Sequence, residues 1–389
     1  MVGTRRNLWV AAVLLAGLAI GAALLPSAPW VCGLAVGLGL AGVVLLRGDR
    51  WRNGALLASA LAVAIGLLDL VAGWMAPVPI GHDIVRSFEP KAWMLDDPVL
   101  GYRLRPATKV LAHFTRGPET LFRVTYTINP DGTRAAPEAP ADADTYLFLG
   151  DSFIFGQGLE DGETLPAQFA QANGFKVRAL NFAVPGYAPS QWVRAFETGM
   201  FDPLARRPGK VKAVVTWIIP HHLDRVAGEQ EWLGAAPRYV VEGGVPRHTG
   251  SFTDNRLGNP LEGLRYFASG QLAFVKAIGQ RQRQDEQIEL FVALMLRLQA
   301  LARERLGAPL IAVYTWPDRP EPSGDRASFS QPQLVAVIDR LREKGLPLLR
   351  VYDLMAGIDP NLVTIPHDGH PSAFTDRLIA GELKRRLVP

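Results

Sequence analysis

Along the chain the period of the apolar positions changes twice, and each change marks a different kind of structure. Residues 8–25, 30–46 and 55–76 are almost wholly apolar. Each is about long enough to cross a bilayer as a helix, which takes ~20 residues. Arg5 and Arg6 precede the first run, and Arg47, Arg50 and Arg52 separate the second from the third. The turn Pro26-Ser27-Ala28-Pro29 carries no charge. The positive-inside rule then puts the N-terminus in the cytoplasm and everything after residue 76 outside. The first run could be read as a cleaved secretion signal. Two more runs follow directly without an obvious small-residue cleavage site, so three retained spans are expected. Trp30, Trp51 and Trp74 fall near the expected interfaces, where indoles concentrate. Asp69 stands out, because a carboxyl inside a span is costly unless it lies close to the interface or a neighbouring helix.

After residue 76 the long apolar runs stop. Residues 77–144 are rich in proline and glycine. Leu121 to Ile128 alternates as a strand does, and Asn129-Pro130-Asp131-Gly132 is a turn signal. A small β-rich lead-in is expected here, with Ala135 to Asp144 as its connector. From Thr145 short apolar runs alternate with amphipathic ones. The strands expected are 145–149, 176–182, 212–219, 309–315 and 348–353. The helices expected are 163–172, 189–200, 286–305, 332–344 and 373–387, with Gly345 stopping the fourth. Strands separated by helical patterns imply an α/β fold, a parallel sheet covered on both faces. Residues 221–285 interrupt the alternation with a hairpin-like stretch, Arg238 to Arg247, and read as an insertion walling the site. Residues 77–389 are expected to fold without the spans.

Charge adds little beyond the membrane signal. The chain of 389 residues has 41 Lys and Arg against 37 Asp and Glu. The first 76 residues hold five of the former and two of the latter, and the remainder is nearly balanced. The basic balance therefore reflects residues flanking spans and gives no reason to expect nucleic acid. A single cysteine, Cys32, excludes an internal disulfide. No zinc-ligand cluster is evident, and neither metal nor organic cofactor is expected.

The chemistry starts at Tyr146-Leu147-Phe148-Leu149-Gly150-Asp151-Ser152. A buried strand ends in a glycine that permits a sharp turn, which sets Ser152 at the carboxyl edge of the sheet, where open α/β folds place their sites. A serine nucleophile needs a base and donors for an oxyanion. Asn181-Phe182-Ala183-Val184-Pro185-Gly186-Tyr187 follows the second strand, Pro220-His221-His222-Leu223-Asp224-Arg225 the third, and Pro366-His367-Asp368-Gly369-His370-Pro371 precedes the last helix. Any one of these is a common turn; their order is what is specific.

In that order the four blocks resemble the SGNH (GDSL-type) serine hydrolases over residues 145–389. The resemblance implies a three-layer α/β/α, flavodoxin-like sheet. It implies Ser152 as nucleophile, His370 as base with Asp368 as its acid, and Ser152 and Gly186 N–H as oxyanion donors. The family usually carries Gly-x-Asn-Asp in the third block. This chain has no Asn there, so His221 or His222 is the candidate third donor, by position alone. The family's last block is commonly Asp-x-x-His, whereas here it is Asp-x-His, with Asp368 the nearest acid; His367 is the competing base. Three functions are open on this reading. One is an extracytoplasmic ester hydrolase acting on an O-acylated envelope glycan or lipid. Another is an O-acyltransferase supplied by a membrane acyl-donor partner. The third is a non-catalytic binding protein with a degenerate site. The location implied is a bacterial inner membrane, multi-pass, with the catalytic part on the periplasmic or extracellular side.

Overall fold

The computed structural model describes residues 2–24, 28–75, 83–259, 261, 263, 273–315 and 329–388. The expected turn at 26–29, the boundary near residue 77 and the middle of the 221–285 insertion lie wholly or partly outside these. The chain divides into two compact units, Met1–Val78 with Asn259–Arg283, and Pro79–Gly258 with Gln284–Pro389.

The first unit contains three helices, α1 (Val2–Leu24), α2 (Ala28–Leu45) and α3 (Asp49–Met75). By length and composition the stretch Asp49–Ala72 can cross a membrane, and Val31–Leu45 is apolar but shorter. Small residues let α2 and α3 approach closely: a Cβ on Gly39 would lie 2.1 Å from Ser59 Oγ and 3.1 Å from the Ala55 carbonyl. A helix end leaves carbonyls without intrahelical partners. Arg6 Nη2 and Arg52 Nε donate to the Leu45 and Leu46 carbonyls at 3.0 and 3.2 Å. Asn7 exchanges two hydrogen bonds with the Arg47 backbone, at 2.7 and 3.0 Å. Asp69 is buried.

The second unit opens with β1 (Ile84–Glu89), β2 (Met94–Asp97), β3 (Gly101–Leu104), β4 (Thr108–Arg116) and β5 (Glu119–Ile128). β1, β4 and β5 form an antiparallel sheet in that order, and β2 pairs with β3. The chain continues through β6 (Thr145–Leu149), α4 (Ser152–Phe155), α5 (Leu165–Ala172), β7 (Arg178–Asn181), α6 (Pro189–Glu197), β8 (Val211–Ile218) and α7 (His221–Arg225). A hairpin, β9 (Pro237–Glu242) and β10 (Val245–Ser251), then α8 (Phe252–Gly258), follow. The last elements are α9 (Ala273–Leu306), β11 (Leu310–Tyr314), α10 (Gln331–Glu343), β12 (Leu348–Arg350), α11 (Pro360–Val363) and α12 (Ala373–Leu387).

β12, β11, β8, β6 and β7 form a five-stranded sheet in that order, parallel throughout. Counted along the chain, the five strands run 2-1-3-4-5 across the sheet, the doubly wound order whose reversal leaves a crevice at the carboxyl ends of the first and third. Here those are β6 and β8, and both are almost continuously buried. Phe169 of α5 packs edge-on against Tyr146 and Phe148 of β6. Trp192 and Phe196 of α6, Phe291 and Leu298 of α9, and Val337 and Leu341 of α10 bury their apolar stripes in the same core.

The lead-in shares that core instead of forming a body of its own. Tyr126 of β5 stands edge-on to Phe155 at 4.9 Å, and Trp93 reaches the same ring. Arg134, just past the turn after β5, joins the two sheets through its N–H, which donates to the Asn181 carbonyl at 3.0 Å. The hairpin from the insertion belongs to this unit, whereas residues 259–283 group with the first, so the insertion expected over 221–285 is divided.

Asp376 of α12 is fully buried, and burial raises its carboxyl well above the usual range, more than the Leu165 N–H and Arg134 lower it. A raised carboxyl contributes stability that is complete below the unfolded pKa of about 3.9 and is lost as pH rises through the folded value, at up to ~1.4 kcal/mol per pH unit. Asp376→Asn cannot ionise. Thermal unfolding of the full-length protein in detergent should show this variant gaining on the wild type steadily as pH rises above about 4. A constant difference across pH would contradict the assignment.

Candidate active site

The turn that presents Ser152 is built by its neighbours. A Cβ on Gly150 would lie 2.5 Å from Ile154 Cβ, so only glycine lets α4 fold back so closely over the end of β6. Asp151 caps α4, its Oδ1 accepting from Phe153 N–H at 3.0 Å. At the other end Gly156 takes a left-handed φ of 79°, and its N–H returns to the Ser152 carbonyl. Behind this helix lies the buried guanidinium of Arg134. It donates to the Phe155 and Gly156 carbonyls at 2.6 Å and to the Leu159 carbonyl at 2.5 Å. The Tyr126 and Phe155 rings flank it, each 4.5 Å away. Asp161 is its ion-pair partner at 3.3 Å.

Loop 364–371 brings the histidine to the serine. Ile365 and His370 are tied by an N–H to carbonyl bond of 2.8 Å, and Thr364 bridges to Pro371. Within this narrow loop His370 Nε2 lies 2.8 Å from Ser152 Oγ, and its Nδ1 lies 2.5 Å from Asp368 Oδ2. The two-residue spacing is therefore enough for a carboxylate to reach the imidazole. With Nδ1–H donating to Asp368, Nε2 is left as the acceptor for the serine proton, which is the arrangement a general base requires. The Asp368 side chain is 2% exposed, so water does not compete for that bond. Phe153 packs beside the imidazole at 5.3 Å. His367 is turned elsewhere: its Nδ1 accepts from Arg116 Nη1 of β4 at 2.9 Å.

Gly186 has φ +85°. A Cβ there would meet Tyr102 Oη at 2.7 Å and Trp232 Nε1 at 2.8 Å. The loop around it is held through its carbonyls. Tyr102 Oη donates to Pro185 O at 2.9 Å, Trp232 Nε1 to Gly186 O at 3.3 Å, and Arg225 Nη1 to Tyr187 O at 3.1 Å. Tyr187 Oη in turn donates to the Tyr102 carbonyl. The N–H groups of Ser152 and Gly186 have no acceptor among the described residues.

The two histidines after β8 sit in different surroundings. His222 is fully buried. Its Nδ1 accepts from Ile219 N–H at 3.2 Å, so the ring proton sits on Nε2, 3.2 Å from Asp151 Oδ2. The ring lies inside, Nδ1 toward Ile219 and Nε2 toward Asp151. Burial lowers its pKa, more than Asp151 raises it, and the ring is neutral. His221 is half-buried, with Nδ1 4.0 Å from Asp224 Oδ2. Asp151 itself is fully buried. Burial raises its carboxyl, but the His222 N–H, Arg225 Nη1 at 2.6 Å and the Phe153 N–H together outweigh this and hold it well below the usual range. Pattern reading missed the structural parts played by Arg134, Tyr102, Trp232 and Arg225. Arg225 alone stood within a block already singled out.

No family model matches the chain, and no curated protein does. Solved structures do. A lipolytic protein of the G-D-S-L family from Desulfitobacterium hafniense DCB-2 is 14% identical, with 63% of this chain and 99% of that one covered at a TM-score of 0.34. Phospholipase A1 from Streptomyces albidoflavus NA297 is 13% identical, with 63% and 100% covered at 0.38. A catalytic mutant of Axe2, an acetylxylan esterase from Geobacillus stearothermophilus, is 12% identical, with 65% and 97% covered at 0.36.

Gly186→Ala should leave binding of substrate nearly intact but cut turnover by about a hundredfold, the scale of losing one oxyanion donor. The added methyl has no room and the backbone would leave its left-handed conformation. Steady-state kinetics on a short ester, with kcat and KM separated, checks this.

Proposed function

We propose that the protein is a membrane-anchored serine ester hydrolase of SGNH type, acting on O-acyl groups outside the cytoplasm. The observation that carries the reading is the unbroken line Asp368–His370–Ser152 at the carboxyl edge of β6. In the first step Ser152 Oγ attacks the ester carbonyl as His370 Nε2 takes its proton. The oxyanion that forms meets the Ser152 and Gly186 N–H groups. On collapse the carbon–oxygen bond to the leaving alcohol breaks, and His370 gives that alcohol the proton. Water then attacks the acyl-serine by the same route in reverse roles, releasing the acid and restoring Ser152. Asp368 holds the imidazole tautomer and supports the imidazolium.

Three N-terminal spans with the basic ends inside would place this site in the periplasm or at the cell surface. Arg6, Arg47 and Arg52 gathered at one end of α2 support that orientation. The substrate class is an acylated envelope glycan or lipid. If a sugar hydroxyl replaces water in the second step, the same serine ester makes the protein an O-acyltransferase, with a membrane partner as donor.

Turnover of p-nitrophenyl acetate by the full-length protein in detergent tests the reading. Ser152→Ala and His370→Ala should each lower kcat by at least ~10⁴-fold, the scale of losing a triad member. Added glycan acceptors that speed nitrophenol release and become acylated would mark a transferase; release unaffected by them marks a hydrolase. Turnover in Ser152→Ala equal to that of the wild type would sink both.

A further inference from the structure

We propose that Arg225 organises the oxyanion hole, doing the work for which the family pattern would supply an asparagine. The inference rests on the acyl-transfer reading above. Arg225 ends α7, the single helical turn that directly follows β8, so it comes from the block in which the amide is missing. Its Nη1 donates both to Asp151 Oδ2 at 2.6 Å and to the Tyr187 carbonyl at 3.1 Å. Asp151 immediately precedes Ser152, and Tyr187 immediately follows Gly186. One nitrogen thus ties together the two peptide segments whose N–H groups are the oxyanion donors. Nothing else among the described residues bonds both segments through a single atom.

Charge makes the same point. A buried carboxylate one residue before the nucleophile would oppose any negative charge forming on the substrate oxygen. His222 does not neutralise it, because its ring stays uncharged. Arg225 does, since a guanidinium keeps its proton in a protein. Its side chain is 11% exposed, and its bonds to Asp151 and Tyr187 both leave from Nη1. A lysine would bring a compact, flexible point charge without the fixed planar geometry of the guanidinium. Arg225 is a positioning residue, acting through the Ser152 and Gly186 peptides.

A structural ion pair would also cost stability when broken, so the test needs a readout that stability does not move. The full-length wild type, Arg225→Gln and Arg225→Lys would be compared in detergent for turnover of a p-nitrophenyl ester. The same samples would be titrated with an alkyl boronic acid, which adds to the serine as a tetrahedral anion. Arg225→Gln should lose kcat and boronate affinity by the same factor, about 30- to 100-fold on the scale of an oxyanion donor, with KM changed less than about threefold. Arg225→Lys should recover part of both. Arg225→Gln holding kcat within about threefold of wild type would overturn the proposal. So would a fall in kcat with boronate affinity unchanged. If Arg225→Gln does not fold, Asp151→Asn/Arg225→Gln removes both charges together and is judged by the same two measurements against Asp151→Asn alone. A wild type with no Ser152-dependent turnover withdraws the acyl-transfer reading and this one with it. An active wild type matched by Arg225→Gln withdraws only this one.

Discussion

The carboxylate of Asp151 is fully buried, and the site is arranged around meeting its needs. A buried charge persists only if it is paired and hydrogen-bonded. One oxygen is met by the Phe153 N–H, which starts the helix carrying Ser152. The other is met by Arg225, with the His222 N–H alongside, which ties the end of β8 to the end of β6. Breaking a buried pair of this kind costs about 3–5 kcal/mol. The turn at Ser152 is therefore held by a charge network and is not merely permitted by the glycine before it.

A second buried charge ties the lead-in to the same turn. Arg134 follows β5 in sequence, yet its guanidinium sits behind α4 and collects three carbonyls from residues 155–159. Burial disfavours its charge, and Asp161 and the Tyr126 ring answer it. The neighbouring Tyr126 hydroxyl accepts from Gly158 N–H, and burial pushes its pKa up to about 12, so it remains a neutral acceptor. On the other side of the site, Arg116 of the lead-in holds His367, the neighbour of Asp368. The lead-in thus braces both the serine turn and the histidine loop, which explains why its apolar residues merge with the main core.

How much of this was legible in the sequence follows from the range of the interactions. The five parallel strands were readable because burial on both faces makes short continuous apolar runs, and each lies within or close to its expected limits. The line Asp368–His370–Ser152 was readable because its members sit in motifs of local spacing, even with one residue fewer than usual. Tyr102, Arg134 and Trp232 were not, since each acts across 21 to 83 residues of chain on a backbone carbonyl, which leaves no pattern in sequence. His222 was read from position alone. Position after a sheet strand puts a residue near the site but does not say whether its ring faces the cleft or the core, and Asp151 draws it inward. Of the three membrane runs expected from length and charge, one described helix, Asp49–Ala72, qualifies as a span by length and composition.

The central claim is that His370, held by Asp368, activates Ser152. The direct measurement is reaction of the full-length protein with a fluorophosphonate, followed by peptide mapping of the adduct. The account predicts a single adduct on Ser152 that is lost in His370→Ala while the protein remains folded. An adduct on another residue, or none on a folded wild type, would contradict it.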